Sequence, residues 1–226
     1  IPIVGRMDAH NQPSREGMDP ELSRRLGKVA RCDESIVTFC RWLDLDIIDW
    51  FSPPVRSRRR RVEIEHRREG TDAITVWRAP SGGELRQRSR QASSDSPSYL
   101  VEHAVKEPRD LSLLAEIFAD EEFELDAERV EGLSRRRRLV GDDGLVFSPM
   151  PGTPLGMTIR FHAGPATTAE LSCEAPEALS ECFAAMEENH LRRLRLVASL
   201  DDLDGVLGMD DTSTTTQSPA MFETHC

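Results

Sequence analysis

The sequence predicts an α/β fold whose strands run parallel and are joined by helices, and three observations predict it. Gly144-Leu145-Val146-Phe147 is a continuous apolar run of the kind that parallel sheets bury on both faces. After Glu174-Ala175-Pro176, the residues Leu179, Cys182, Phe183, Met186, His190, Leu194 and Val197 recur at three- and four-residue steps, the apolar stripe of a long helix. That helix leads into Gly205-Val206-Leu207-Gly208-Met209, which reads as a short buried strand. Strand, irregular loop, helices and strand again form a β/α pattern.

The elements follow in order. Ile1 to Val4 reads as a strand with the polar exit Arg6-Met7-Asp8-Ala9-His10. Asp19-Pro20-Glu21 supplies an N-cap, a proline at the first turn and an acidic start, so Pro20 to Lys28 is predicted helical. A second helix starts at Asp33, with Ile36, Val37, Phe39, Cys40 and Leu43 on one face. Leu45 to Phe51 is a short apolar segment stopped by Pro53-Pro54. Val62, Ile64 and His66 alternate with charged residues as a half-buried strand does, Ile74 and Val76 alternate again, and Leu85 sits in a third polar run. Ala79-Pro80-Ser81-Gly82-Gly83 between them is a turn signal. An antiparallel patch of two or three strands at a sheet edge is expected, a hairpin inserted at about residues 60–90.

Gln91 to Ser98 is Ser-rich and reads as a mobile loop. Pro108 then opens an amphipathic helix carrying Leu111, Leu113, Leu114, Ile117 and Phe118, and Ala127 to Leu139 is a further helix. Ser148 to Pro154 is too rich in Pro and Gly to be regular. Ser218-Pro219 reads as an N-cap with proline at the first helical position. Because the chain opens inside a strand-like run and stops two turns into that helix, both ends read as cuts.

Composition narrows the class. The 226 residues fit one large domain or two small ones, and 38% hydrophobic with 5% aromatic residues demands a core of Leu, Val, Ile and Ala. A net charge of -11 disfavours nucleic acid, which needs clustered cations to displace counterions. The runs Arg58 to Arg61 and Arg135 to Arg138 have acidic neighbours (Glu63, Glu65, Glu128, Glu131) and read as solvated charged faces. Five cysteines, an odd number without a C-x-x-C pair, point to a reducing compartment and a cytoplasmic protein. No apolar run approaches the ~20 residues of a membrane span.

Several segments resemble, in order and spacing, the uroporphyrinogen decarboxylase superfamily. Ile1-Pro2-Ile3-Val4 is similar to its opening strand, and Trp77 to Leu85 resembles the W-x-T-P-x-G-x-L turn of divergent branches. Val101 to Leu111 is similar to the segment introducing the next helix. Asp143-Gly144-Leu145-Val146 with Pro151 and Pro154 resembles a strand and its G-x-P loop, and Ser218-Pro219-Ala220-Met221-Phe222 the S-P-x-x-F helix start. Together they span the chain. The resemblance implies a TIM-type (β/α)8 barrel of which this chain is the N-terminal part, and a site at the carboxyl ends of the strands.

It also implies the chemistry: protonation of an electron-rich ring carbon followed by loss of carbon dioxide, without an organic or metal cofactor. Arg6 and His10 after the first strand are candidates for gripping a substrate carboxylate, and Asp8 for receiving pyrrole N–H groups. Gly152 and Pro154 of the G-x-P loop join them as substrate-binding candidates, and Asp210 and Asp211 as catalytic ones, for proton transfer or for holding a cationic intermediate. Side-chain alternation admits only one of those two aspartates to the barrel mouth; the bland alternative is an Asx-type cap of the polar loop. Met7 and Asn11 stand where the decarboxylases carry a pair of arginines four apart, which argues against uroporphyrinogen itself as substrate.

The sharper rival is methyl transfer from a corrinoid to a thiol, with zinc bound outside this chain, since the zinc motif H-x-C does not occur here. Cys182 and His190 read as packing residues, and His225-Cys226 has the wrong spacing for ligands. A non-catalytic ligand-binding barrel is the third class. The expected partner is a small molecule, with a second copy of the chain or a corrinoid protein beside it, and neither nucleic acid nor a membrane.

Overall fold

A computed structural model describes residues 4–5, 20–21, 32–93, 96–211, 213–214 and 216–225. Its strands are β1 (Val4–Gly5), β2 (Asp46–Trp50), β3 (Val55–Arg59), β4 (Glu63–Glu69), β5 (Asp72–Arg78), β6 (Glu84–Arg90), β7 (Tyr99–Glu102), β8 (Glu121–Leu125), β9 (Gly144–Met150) and β10 (Gly205–Gly208). Its helices are α1 (Cys32–Trp42), α2 (Pro108–Ala119), α3 (Ala127–Val140), α4 (Pro154–Met157), α5 (Pro165–Glu174), α6 (Pro176–Val197) and α7 (Pro219–His225). A wide π turn, Thr158–His162, follows α4. Pro20 and Glu21 are helical, as predicted; the rest of that helix lies outside the described residues.

The chain divides into two compact units. The first takes Ile1–Val55, Leu125–Pro149 and Leu196–Leu207. Its sheet has the order β1-β2-β9-β10, with β1 parallel to β2 and β2 parallel to β9, Ile47 facing Gly144 and Trp50 facing Phe147. Val37 and Cys40 of α1, Ile47, Val146, and Leu133 and Val140 of α3 close into one buried cluster. Inside this unit Arg136 of α3 pairs with Asp49 of β2, both largely withdrawn from water. Asp204 fixes the start of β10: its carboxylate accepts the Val146 N–H at 2.7 Å and its own N–H donates to the Val146 carbonyl at 3.0 Å.

This is the predicted mixed α/β pattern with a parallel sheet, and the described sheet is open, not closed into a barrel. Two expectations are corrected. In β9 only Val146 of the run is fully buried, while Leu145 is 45% exposed, so the strand is covered on one face. In β10 Val206 and Leu207 are exposed at 36% and 41%, so this strand is not buried either. Apolar composition signals burial, but among the described residues β10 stands last in the strand order and has a neighbour on one side only.

The second unit takes Arg56–Glu124, Met150–Arg195 and Gly208–Cys226. Here the antiparallel patch is larger than predicted: β4, β5, β6 and β7 pair in sequence as a four-stranded sheet. The β5–β6 turn closes through the Ala79 N–H on the Gly83 carbonyl at 2.8 Å, with Gly82 at φ 95°, a conformation that favours glycine. The edge strand β4 is exposed at every position, against the expected half-burial, and its charges protect an open edge. Alternation is real one strand further in, where Asp72, Ile74 and Val76 are buried. Beside them on the same face, Arg90 and Arg88 pair with Asp72, and Arg86, Arg88 and Lys106 with Glu102.

Leu111, Leu114 and Ile117 of α2, Leu155, Ile159, Leu171, and Leu179, Cys182, Phe183 and Met186 of α6 form the main core of this unit. The stripe read from the sequence is thus the buried face of α6. Sequence reasoning missed β3 and β8, which pair with each other. Asp120, just before β8, accepts the backbone N–H groups of Arg60, Arg61 and Val62, each at 2.9 Å. Burial pushes its carboxyl up, but those hydrogen bonds outweigh burial and hold it below the usual carboxylate range. Of the arginines near it, Arg58, Arg60 and Arg61 are exposed, as a solvated charged face requires, with Arg58 and Arg60 paired with Glu122; only Arg59 lies in a mostly buried pair, with Glu121.

Candidate functional site

The site is built by two loops of the second unit. One runs from Met150 to Thr153 into α4; the other is the polar segment that follows β10. Thr153 is the N-cap of α4, its hydroxyl accepting the Gly156 N–H at 3.1 Å, and Pro154 takes the first helical position, where its missing N–H costs nothing. The Thr153 N–H is left pointing outward and donates to Asp210 Oδ2 at 2.7 Å.

Asp210 can sit there because two positions carry no side chain. A Cβ on Gly156 would overlap Asp210 Oδ1, and a Cβ on Gly152 would come within 2.7 Å of the Met209 carbonyl and 3.0 Å of Asp210 Oδ1. The glycines are therefore required by close approach of the carboxylate to the loop backbone. Asp211 is engaged differently: its carboxylate accepts the Ser213 N–H at 3.0 Å, and its carbonyl accepts from the Gln217 amide at 2.8 Å and the Thr216 hydroxyl at 3.2 Å. The Ser213 N–H, then the Ser213 hydroxyl, hold this carboxyl below its ordinary value, and the nearby Arg160 acts in the same direction. That is the Asx-type cap set out above as the bland alternative.

Both aspartates line a cavity of about 570 Å³, within the usual range for small-molecule sites. Its walls are mainly apolar, from Met150, Met157, Met209, Ile159 and Phe161, with Arg160, Asp210, Asp211 and Thr216 as the polar groups. Arg160 stands over the Phe161 ring, 5.0 Å from its centroid, and makes no ion pair among the described residues. A guanidinium held against an aromatic face in an apolar cavity is suited to a planar anion such as a carboxylate.

Of the residues singled out in the sequence, Gly152, Asp210 and Asp211 come together at this cavity, and Pro154 starts the helix beneath it. Arg6, Asp8 and His10 lie outside the described residues. The expectation that one of the two aspartates faces away is not met, because β10 ends at Gly208 and neither belongs to the strand. Sequence reasoning missed Arg160, Phe161 and the three methionines. Nothing in their spacing marks them, since a wide turn has no period of its own.

Among the described residues no group of three or more His, Cys, Asp or Glu could hold a metal ion. Cys182 is buried and its thiol is pushed up to about 12 by burial, while Cys40 is raised by burial and by Asp49. Among the described residues no helix is long and apolar enough to cross a membrane. No protein-family model matches the chain, and neither does any curated protein or solved structure.

Proposed function

We propose that the chain is the N-terminal part of a (β/α)8-barrel enzyme of the uroporphyrinogen decarboxylase superfamily, acting on a carboxylated, electron-rich ring such as a tetrapyrrole or a relative of one. The reading rests on the ordered segments quoted above and on one structural observation: the Asp210 carboxylate, two residues beyond the carboxyl end of β10, is locked into a glycine-lined loop at the wall of an apolar cavity. In barrels of this type the strand ends carry the chemistry.

In the reaction, a proton adds to the ring carbon next to the one that bears the acid side chain, and the ring becomes cationic. The bond to the departing carboxylate then breaks, its electron pair forms a double bond between the side-chain carbon and the ring and neutralises the cation, and carbon dioxide leaves; a proton gained at the side-chain carbon and one lost from the ring carbon restore the ring. The low-dielectric walls strengthen any charge interaction with that cation, and Asp210 is the carboxylate placed to make it. Arg160 serves a substrate carboxylate that is retained.

The test is release of carbon dioxide from a carboxylated porphyrinogen by the chain and by Asp210→Asn. Loss of one preorganised charge is expected to lower turnover by about 10²-fold. Equal turnover in the two proteins, or none in either, overturns the proposal.

A further inference from the structure

One turn of helix serves both the cavity wall and a buried group of histidines. In Thr158–His162 the Ala163 N–H reaches back five residues to the Thr158 carbonyl at 2.8 Å. Such wide turns are rare and concentrate at functional sites. The turn divides its residues between two sides. Thr158 is buried away from the cavity, Ile159 is buried at its wall, and Arg160 and Phe161 are exposed and line it. His162, the last residue, has its Nε2 enclosed and without a hydrogen-bond partner.

The His162 ring is held by an aromatic ring from another element. Phe118 of α2 meets it edge-on at 5.6 Å between centroids and meets His190 of α6 in the same way at 6.1 Å. His103, on the segment before α2, packs against Gly164, where a Cβ would lie 3.1 Å from its Cε1. Two residues further on, the Val105 N–H donates to the His162 carbonyl at 2.9 Å. The charged groups around this nest are Glu121 of β8, which acts on His190, and Arg192 and Arg193 of α6. Arg192 and Asn189 donate to the Phe118 carbonyl at 3.1 and 3.0 Å, fixing α2 against α6.

An imidazolium carries a proton on both ring nitrogens. At His162 Nε2 that proton would meet no acceptor, beside two more imidazoles. Burial, then His190 and His103, hold the His162 ring down to about 4. Burial also lowers His103, and it lowers His190 together with Arg193 against the opposing Glu121.

The geometry points to His162 as a proton-sensitive pin for the cavity: while its ring is uncharged the wide turn holds Arg160 and Phe161 at the wall, and charging the ring releases that turn. The pin adds regulation to the cavity and rests on the reading of that cavity as a ligand site only for its consequence, weaker ligand binding in acid.

Its test needs no ligand. The His162 ring and the Arg160 and Phe161 backbone amides are followed by NMR in the whole chain from about pH 7 to about pH 3, in the wild type and in His162→Phe. The amides are expected to shift together with the His162 ring and to stay flat in His162→Phe. Amides that do not follow the ring, or that shift equally in His162→Phe, overturn the pin. If His162→Phe does not fold, His190→Asn removes one neighbouring imidazole, and ring and amides are then expected to move together toward higher pH. A ring that moves alone overturns the pin. Such a failure leaves the decarboxylation proposal standing, and a chain that passes but releases no carbon dioxide overturns only the latter.

Discussion

Gly156 and Asp210 are one unit at the scale of single residues, because the carboxylate occupies the space that a side chain at Gly156 would take. Gly156→Ala is expected to destabilise the chain by about 1–3 kcal/mol, the usual range for overpacking. It should cost clearly less in an Asp210→Ala background, where the obstructing group is gone. A urea-unfolding double-mutant cycle measures that coupling, and additive effects would contradict the geometry. Asp120 makes a second residue-scale case. Asp120→Ala removes the one oxygen that three backbone N–H groups share, and a loss of about 2–3 kcal/mol is expected by the same measurement. The sequence singles out Asp210 as a catalytic candidate but does not show the contact it makes, and nothing in it marks Asp120.

The element scale is where periodicity speaks. The stripes of α2 and α6 were legible because a helix repeats its buried face every three to four residues, and Leu111, Leu114, Leu179 and Met186 are indeed enclosed. Leu111→Ala in α2 removes a fully buried side chain and is expected to cost about 2–5 kcal/mol in urea unfolding. The same change at Ile64, 38% exposed on the edge strand, is expected to cost under about 1 kcal/mol. Both positions are apolar in the sequence and sit in regular elements. Their difference lies in strand order: β4 has a neighbour on one side only. The π turn was illegible for a related reason, because one widened turn erases the phase on which such patterns depend.

Across the whole molecule, protonation gives the clearest expectation. Unfolded His162 takes up a proton near the ordinary histidine value of 6.5, whereas the folded ring does so only at about 4. The unfolded state thus binds more protons between those values, and stability must fall as pH drops through that window, by up to about 3 kcal/mol. Asp120 and Asp211 act lower down. Their folded carboxyls are depressed, so the stability they contribute is present above about pH 4 and is lost below it. Thermal melting at about pH 7, 5.5 and 4.5 checks the upper window, and His162→Phe should shrink the fall, leaving the part that His103 and His190 contribute. Unchanged melting between pH 7 and 4.5 in the wild type would refute the assignment.

The sequence by itself determined the α/β class, the strand at Val146 and the positions of most helices, because all of these follow from local periodicity, caps and chain order. Only the tertiary structure decided that Asp210 is clasped by the Thr153 N–H, that Asp211 serves its own loop, and that Arg160 joins them at a cavity. The first and last of these join residues fifty or more positions apart, and the packing that makes them close leaves no periodic trace along the chain.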